Sequence, residues 1–95
     1  MRTMLRWTMP VEKGNAMIAD GSMGTVIEAV MARTKPEAAY FFAEDGKRSG
    51  LLFFDLKESS DLPRIAEILF RGANAAVEFI PVMNSDELKK GLASL

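Results

Sequence analysis

Three polar side chains interrupt otherwise apolar strand-like segments and are the candidates for chemistry: Arg6, Tyr40 and Glu78. An arginine can anchor a ligand carboxylate or enolate, a tyrosine phenol can donate or accept a proton, and a glutamate can position a ligand or act as a base. The 95 residues include no histidine and no cysteine, which excludes thiol chemistry and Ser-His-Asp or Cys-His catalysis. Zinc and iron–sulfur sites depend mostly on the same two residue types, so we expect no metal site and no cofactor.

Each candidate also has a purely structural interpretation. Arg6 and Glu78 are both mid-strand and can form a cross-strand ion pair within the sheet or at a dimer interface, which is the favoured interpretation. Trp7 and Tyr40 can frame an aromatic pocket, but such residues more often pack in a core or an interface with one satisfied polar atom. The sequence alone therefore leaves a ligand site and a structural role open for these side chains.

The composition excludes several classes of protein. Hydrophobic residues make up 48% of the chain, which excludes disorder, and 12 basic and 13 acidic residues give a net charge of −1. The basic residues are scattered, so we expect no nucleic-acid partner. No apolar run approaches the roughly 20 residues that span a bilayer, and the first residues lack the pattern of a signal peptide. We expect a cytoplasmic protein without membrane contact.

Four segments are predicted as strands. The first, Thr3 to Met9, ends at Pro10, and the fourth runs from Ala75 to Met83. Between them, Ala38 to Ala43 and Leu51 to Phe54 form a hairpin whose turn contains Asp45-Gly46. Neither hairpin strand alternates between apolar and polar residues, which indicates apolar side chains on both faces.

Three helical regions separate and follow the strands. The first is predicted to follow a loop over residues 11–14, with Asn15 as N-cap, a break around Asp20-Gly21-Ser22, and an end at Lys35-Pro36. The second begins at Ser60 or Asp61 and ends at Gly72. Asn84 and Glu87 resemble a capping box that opens a short helix over residues 85–92.

The order β-α-β-β-α-β predicts one α+β domain over residues 1–95 with a ferredoxin-like fold. Its sheet is antiparallel and four-stranded, with strands one and three in the centre, both main helices on one face and a short C-terminal helix. Because helices cover only one face, the apolar side chains on the other face need a second molecule. We therefore predict a homodimer through the sheet face.

Three segments resemble motifs of a small bacterial family placed in the dimeric α+β barrel superfamily: residues 6–10 (RWTMP), 35–41 (KPEAAYF) and 77–83 (VEFIPVM). The resemblance covers nearly the whole chain. It implies two ferredoxin-like sheets paired face to face. Members of that superfamily include cofactor-independent monooxygenases acting on aromatic polyketides, haem-degrading enzymes, muconolactone isomerases and ligand-sensing regulatory domains. The haem-degrading activity is disfavoured because those members typically hold iron through a histidine.

Two functions follow as hypotheses. The first is a small-molecule-binding homodimer that acts as a metal-independent oxygenase or isomerase on an apolar or aromatic substrate. Its polar groups would be Arg6, Tyr40 and Glu78. The pocket-lining candidates are Trp7, Thr8, Phe42 and Phe54. The second is a non-catalytic dimeric binding, regulatory or interaction module.

Overall fold

The computed structural model describes all 95 residues and contains four strands and four helices. The strands are β1 (Arg2–Thr8), β2 (Ala38–Glu44), β3 (Lys47–Asp55) and β4 (Ala76–Pro81). The helices are α1 (Val11–Asp20), α2 (Ser22–Thr34), α3 (Asp61–Ala73) and α4 (Ser85–Ala93). With α1 and α2 taken as one interrupted helical region, the order is β-α-β-β-α-β followed by a short helix. None of the four helices has the length and apolar character needed to cross a membrane.

The four strands form one antiparallel sheet in the order β2-β3-β1-β4. The first and third strands are central and the second and fourth are edges, as the sequence predicts for a ferredoxin-like fold. The two-residue turn Asp45-Gly46 has φ values of 52° and 74°, which suit the tight hairpin that joins β2 to β3. It places Glu44 opposite Lys47 and thereby sets the register of both hairpin strands.

The hydrophobic core lies on one face of this sheet only. Leu5 and Leu52 are fully buried there beneath the helices, and Trp7 and Phe54 are nearly so. The helices contribute the buried residues Met17, Val30, Ile65, Leu69 and Ala73. Burial of each large apolar side chain contributes roughly 1.5–3 kcal/mol, so this layer is the main source of stability. The opposite face of the sheet, called the open face below, is covered by no helix.

A glycine divides the first helical region where the sequence predicts a break. Gly21 adopts φ 82°, a left-handed conformation that ends α1 and precedes α2. The Asp20 carboxylate accepts a hydrogen bond from the Ser22 backbone N–H at 2.8 Å, which satisfies one free donor at the start of α2. Lys35, with φ 46°, ends α2 as predicted.

The start of α1 differs from the prediction. Residues 11–14 are helical and form no loop, because Pro10 in an extended conformation occupies the N-cap position and the Gly14 N–H bonds to the Pro10 carbonyl at 2.9 Å. Asn15 is therefore inside the helix, where its Oδ1 accepts a hydrogen bond from the Arg48 guanidinium at 3.0 Å. Gly14 allows this contact, since a Cβ there would lie 2.8 Å from Arg48 Nη1.

Of three further boundaries, two differ from the predictions and one agrees. Helix α3 passes through Gly72 and ends at Ala73, where Asn74 caps it with φ 51°. Gly72 instead lies close to Val26 of α2. Strand β4 is shorter than predicted, ending at Pro81. The capping box is confirmed: the Asn84 side chain accepts from the Glu87 N–H, and the Glu87 carboxylate accepts from the Asn84 N–H, both at 2.9 Å.

Candidate functional site

Strand alternation divides the candidate residues between the two faces of the sheet. Arg6, Tyr40 and Glu78 lie on the open face in one cross-strand row, because Arg6 pairs with both Leu51 and Glu78 and Tyr40 pairs with Leu51. Tyr40 and Glu78 occupy the two edge strands, three strand spacings or about 14 Å apart. They flank Arg6 from opposite sides and do not converge on one reacting atom.

Arg6 is ion-paired, but with a different partner from the one the sequence suggests. Its guanidinium donates to the carboxylate of Glu44, at the end of the edge strand β2, and lies 5.9 Å from the centre of the Phe42 ring. The hydrogen bond to Glu44 is the main cause that raises the pKa of Arg6 above its ordinary value, and the charges of Glu44 and Glu78 add to it. Glu78 forms no ion pair within the chain.

Two of the four predicted pocket-lining residues lie on the opposite face from Arg6. Trp7 is 2% exposed and its ring covers Gly50, where a Cβ would lie 2.2 Å from Trp7 Cζ2. Phe54 packs edge to face with Phe79 at a centroid distance of 6.4 Å, also beneath the helices. The sheet backbone therefore separates both aromatic rings from Arg6, and these residues do not line one pocket with it.

The other two predicted lining residues lie on the open face. Phe42 contacts Arg6, as described above, and Thr8 lies in register with Ser49. The Thr8 and Ser49 hydroxyl groups form a hydrogen bond of 3.2 Å that bridges the two central strands. Thr8 is therefore satisfied by a structural contact.

An apolar groove at the β2 edge of the sheet is lined by residues of both faces and carries the second set of candidate residues. Its volume is about 200 Å³, and it lies where the α1–α2 corner meets the β2 edge. The residues that line it are Trp7, Met9, Ile18, Met23, Ile27, Phe41, Phe42, Arg48 and Ser49. Sequence reasoning named Trp7 and Phe42 among them. It did not name the methionines or isoleucines, because apolar residues of this kind are also typical of an ordinary hydrophobic core.

Trp7 is one of the residues that line this groove, and its indole carries an N–H donor. No protein atom accepts a hydrogen bond from it, although the side chain is almost fully buried. Since no fully enclosed side-chain nitrogen or oxygen in the chain lacks a partner, this nitrogen is accessible to water. Phe41 stands edge to face against the indole at a centroid distance of 6.1 Å and forms one wall.

A second cluster of charges, missed by sequence reasoning, lies at the other end of β1. Arg2 bonds to Glu37 at 3.1 Å and to the carboxylate of Glu87 at the start of α4. The backbone N–H of Asn84 is the main cause that holds the pKa of Glu87 below its ordinary value, and Arg2 adds to it. A cavity of about 300 Å³ between these residues is lined mostly by charged groups that are paired with one another. This cluster links the start of α4 to the end of β1.

No three of the aspartate and glutamate side chains come close enough together to form a metal-binding cluster. Asp20, which caps the start of α2, has a pKa below its ordinary value because of its hydrogen bonds to Ser22.

Comparison with known proteins does not add a function. No family model matches the sequence, and no curated protein matches it significantly. The membership of a small bacterial family suggested by the three motifs therefore stays a prediction.

Solved structures with similar folds include three with low sequence identity. The periplasmic divalent cation tolerance protein CutA from Archaeoglobus fulgidus is 12% identical, with 94% of this chain and 93% of that chain covered and a TM-score of 0.45. The de novo designed protein Ferredog-Diesel is 14% identical, with coverages of 84% and 82% and a TM-score of 0.43. Protein SP2199 from Streptococcus pneumoniae is 18% identical, with coverages of 98% and 99% and a TM-score of 0.34. At these values the similarities carry no argument about activity, and the fold is assigned from the element order and strand topology of this chain: an α+β ferredoxin-like domain.

Proposed function

We propose that this protein binds a small, mostly apolar molecule in the groove between the α1–α2 corner and the β2 edge. The single observation that carries the proposal is an apolar groove whose lining includes Trp7, a residue that carries an N–H donor. A ligand oxygen in the groove would replace water as the acceptor for this N–H.

The groove has the size and lining of a site for one ring. Its volume of about 200 Å³ is of the order of the roughly 150 Å³ cavity that admits benzene in another protein, although that cavity is enclosed and this groove is open to solvent. Two methionines, Met9 and Met23, give it walls that can adapt to ligand shape. A single aromatic ring with one small substituent fits these dimensions.

The polar groups at the groove indicate what that substituent is. Trp7 offers one N–H donor, and Arg48, held by Asn15, adds a positive charge at the rim. A carbonyl or carboxylate oxygen suits the indole donor, and a carboxylate also suits Arg48. We therefore expect an aromatic ketone or acid as the class of ligand.

The groove supports binding more strongly than catalysis. Arg48 is the only charged residue in its lining, and a guanidinium is a hydrogen-bond donor without an acceptor atom. The oxygenase or isomerase activity suggested by the family resemblance thus finds no proton-transfer residue there, since Arg6, Tyr40 and Glu78 are not among the residues that line it.

The proposal is tested through the one tryptophan of the chain. In the 15N–1H spectrum, the single indole cross-peak should move saturably on titration with benzoate or acetophenone. Ile18→Phe should fill the groove and abolish the change, whereas Val11→Phe, on the same helix but outside the groove lining, should not. Arg48→Gln should weaken benzoate binding and leave acetophenone binding unchanged. An indole cross-peak that stays fixed at millimolar ligand concentrations would contradict the proposal.

We further propose that the protein is a homodimer through the open face, which favours the role of a dimeric binding or regulatory module. The supporting observation is that Met4, Leu51 and Phe53 are apolar residues on a sheet face that no helix covers. Burial of that face against a second copy would remove them from water.

Light scattering on a gel-filtration column tests the dimer. We expect twice the monomer mass at micromolar concentration for the wild type and for Phe70→Lys, which alters an exposed apolar residue of α3. Leu51→Lys, on the open face, should give a monomer. A wild-type monomer would contradict the homodimer without affecting the proposed groove ligand.

A further inference from the structure

Helix α4 carries an apolar stripe that no part of its own chain covers. Leu88 and Leu92 are one helical turn apart on the same side of the helix and are 45% and 57% exposed, and no residue of α4 is buried. Met83, immediately before the helix, is 63% exposed. A surface helix of a single domain normally turns such a stripe toward a core, so the stripe points to a contact outside this chain.

The position of α4 is fixed by polar contacts rather than by packing. The capping box of Asn84 and Glu87 rigidifies its first turn, and the bond from Arg2 to Glu87 ties it to the end of β1. The radius of gyration is 14.9 Å, and the longest dimension is 52 Å. A compact domain of this length has a radius of gyration of about 12.4 Å, so the molecule is elongated.

The open face of the sheet has the chemistry that matches this stripe. It is apolar at Met4, Leu51 and Phe53, and it carries the unpaired carboxylate of Glu78 near its β4 edge. Lys89 of α4 lies beside the leucine stripe and, like every lysine of the chain, has no ion-pair partner within the chain. Apolar surface and opposite charges are thus provided by two regions of the same molecule.

The two surfaces are also close along the chain. Ile80 lies on the open face of β4 and is partly exposed, and the chain passes from it through the exposed Met83 into α4. The exposed polar residues 84–87 lie between Met83 and the leucine stripe, so the two apolar surfaces are neighbours in the chain and not one surface.

We infer that α4 of one copy packs against the open sheet face of a second copy, with Leu88 and Leu92 on its apolar strands and Lys89 near Glu78 of that copy. This inference rests on the homodimer proposed above and names the segment that completes its interface. The second copy is the occupant because this chain supplies both complementary surfaces, and a two-fold pair of such contacts is closed.

Because the chain has no cysteine, engineered cysteine pairs give an unambiguous test. Leu51→Cys is combined with Leu92→Cys in one variant and with Lys90→Cys, on the opposite side of α4, in a control variant. After mild oxidation, mass spectrometry should find peptides that link position 51 to position 92 at least ten times more abundantly than peptides that link 51 to 90. Leu88→Ser with Leu92→Ser should raise the dimer dissociation constant at least tenfold, whereas Asp86→Ser with Lys90→Ser should not.

The outcomes separate this inference from the homodimer itself. A dimer that gives equal 51–92 and 51–90 links, or keeps its dissociation constant when both leucines are replaced, overturns the placement of α4 and leaves the dimer standing. A wild-type monomer overturns both.

Discussion

Leu51 and Leu52 are adjacent in β3, have the same side chain, and lie on opposite faces of one sheet. Leu52 is fully buried beneath the helices, whereas Leu51 lies on the open face with its side chain partly exposed. On the covered face, apolar side chains are packed by helices of the same chain. On the open face, similar side chains stand beside an ion pair and have no covering layer. The difference shows that this chain completes one core and leaves a second apolar surface for another molecule.

The largest expected effect is a difference in the free energy of unfolding between variants of these two leucines. Leu52→Ala should lower the free energy of unfolding by about 2–5 kcal/mol, because it leaves a cavity in a packed core. Leu51→Ala should cost less, and its cost should grow with protein concentration if the open face is a dimer interface. Urea unfolding followed by Trp7 fluorescence measures both values. Equal, concentration-independent losses would contradict the division into a complete and an incomplete face.

A smaller effect is expected where Trp7 covers the backbone of β3. Gly50→Ala would place a Cβ 2.2 Å from Trp7 Cζ2, and overpacking of this kind costs typically about 1–3 kcal/mol. Gly24→Ala is the matched control, since a Cβ there meets nothing within 4 Å and Ala favours a helix by up to about 1 kcal/mol. Thermal unfolding should move the two melting temperatures in opposite directions. A neutral Gly50→Ala would show that the indole does not rest on this glycine.

On the open face, the expected effects are electrostatic and weaker. In double-mutant cycles with Arg6→Gln, Glu44→Gln should show a larger coupling than Glu78→Gln, because only Glu44 bonds to the guanidinium. Added salt should reduce that coupling, since the pair is partly solvent-exposed. A stronger coupling to Glu78 would indicate that Arg6 pairs with Glu78 on the neighbouring strand, as the register alone suggests.

The smallest and most local effect is a pH dependence at α4. The folded pKa of Glu87 is lowered, so its stabilising contacts are complete above the free-glutamate pKa of about 4.3 and are lost as the pH falls through the lower folded value. Amide hydrogen exchange in α4 should therefore accelerate in acid while the Trp7 fluorescence stays constant. Glu87→Gln should remove most of this pH dependence. Simultaneous loss of both signals would mean that the two regions unfold as one unit.

Local signals in the sequence predict most of the fold. Asp45-Gly46, Gly21 and the Asn84–Glu87 pair each act through the backbone conformation or hydrogen bond that they form with close neighbours in the chain, and each lies where it was predicted. The errors arise where a local signal competes with a tertiary contact. Gly14 and Gly72 look like helix breaks, but they lie within helices because Arg48 and Val26 approach them closely.

The candidate site is less predictable because it depends on contacts that long side chains make beyond their neighbours in the strand register. Alternation along β1 predicts that Arg6 and Trp7 lie on opposite faces, which the structure bears out, so no single pocket can use both directly. The partner of Arg6 could not be found from register, since the guanidinium passes over Phe42 to reach Glu44, two strands away. The groove was missed because it depends on how the α1–α2 corner sits against the sheet edge.

The contact between Trp7 and Gly50 has a consequence for how β3 finds its place during folding. A slip of one residue would exchange Leu52 and Phe54 for Leu51 and Phe53, so that the covered face would receive the same two side-chain types. Hydrophobicity alone thus discriminates poorly between the two alignments. Only the native alignment sets a residue without a side chain opposite the indole, and the short turn at Asp45-Gly46 holds the hairpin to it. Gly50, the smallest residue of the strand, thereby helps to set the register of β3.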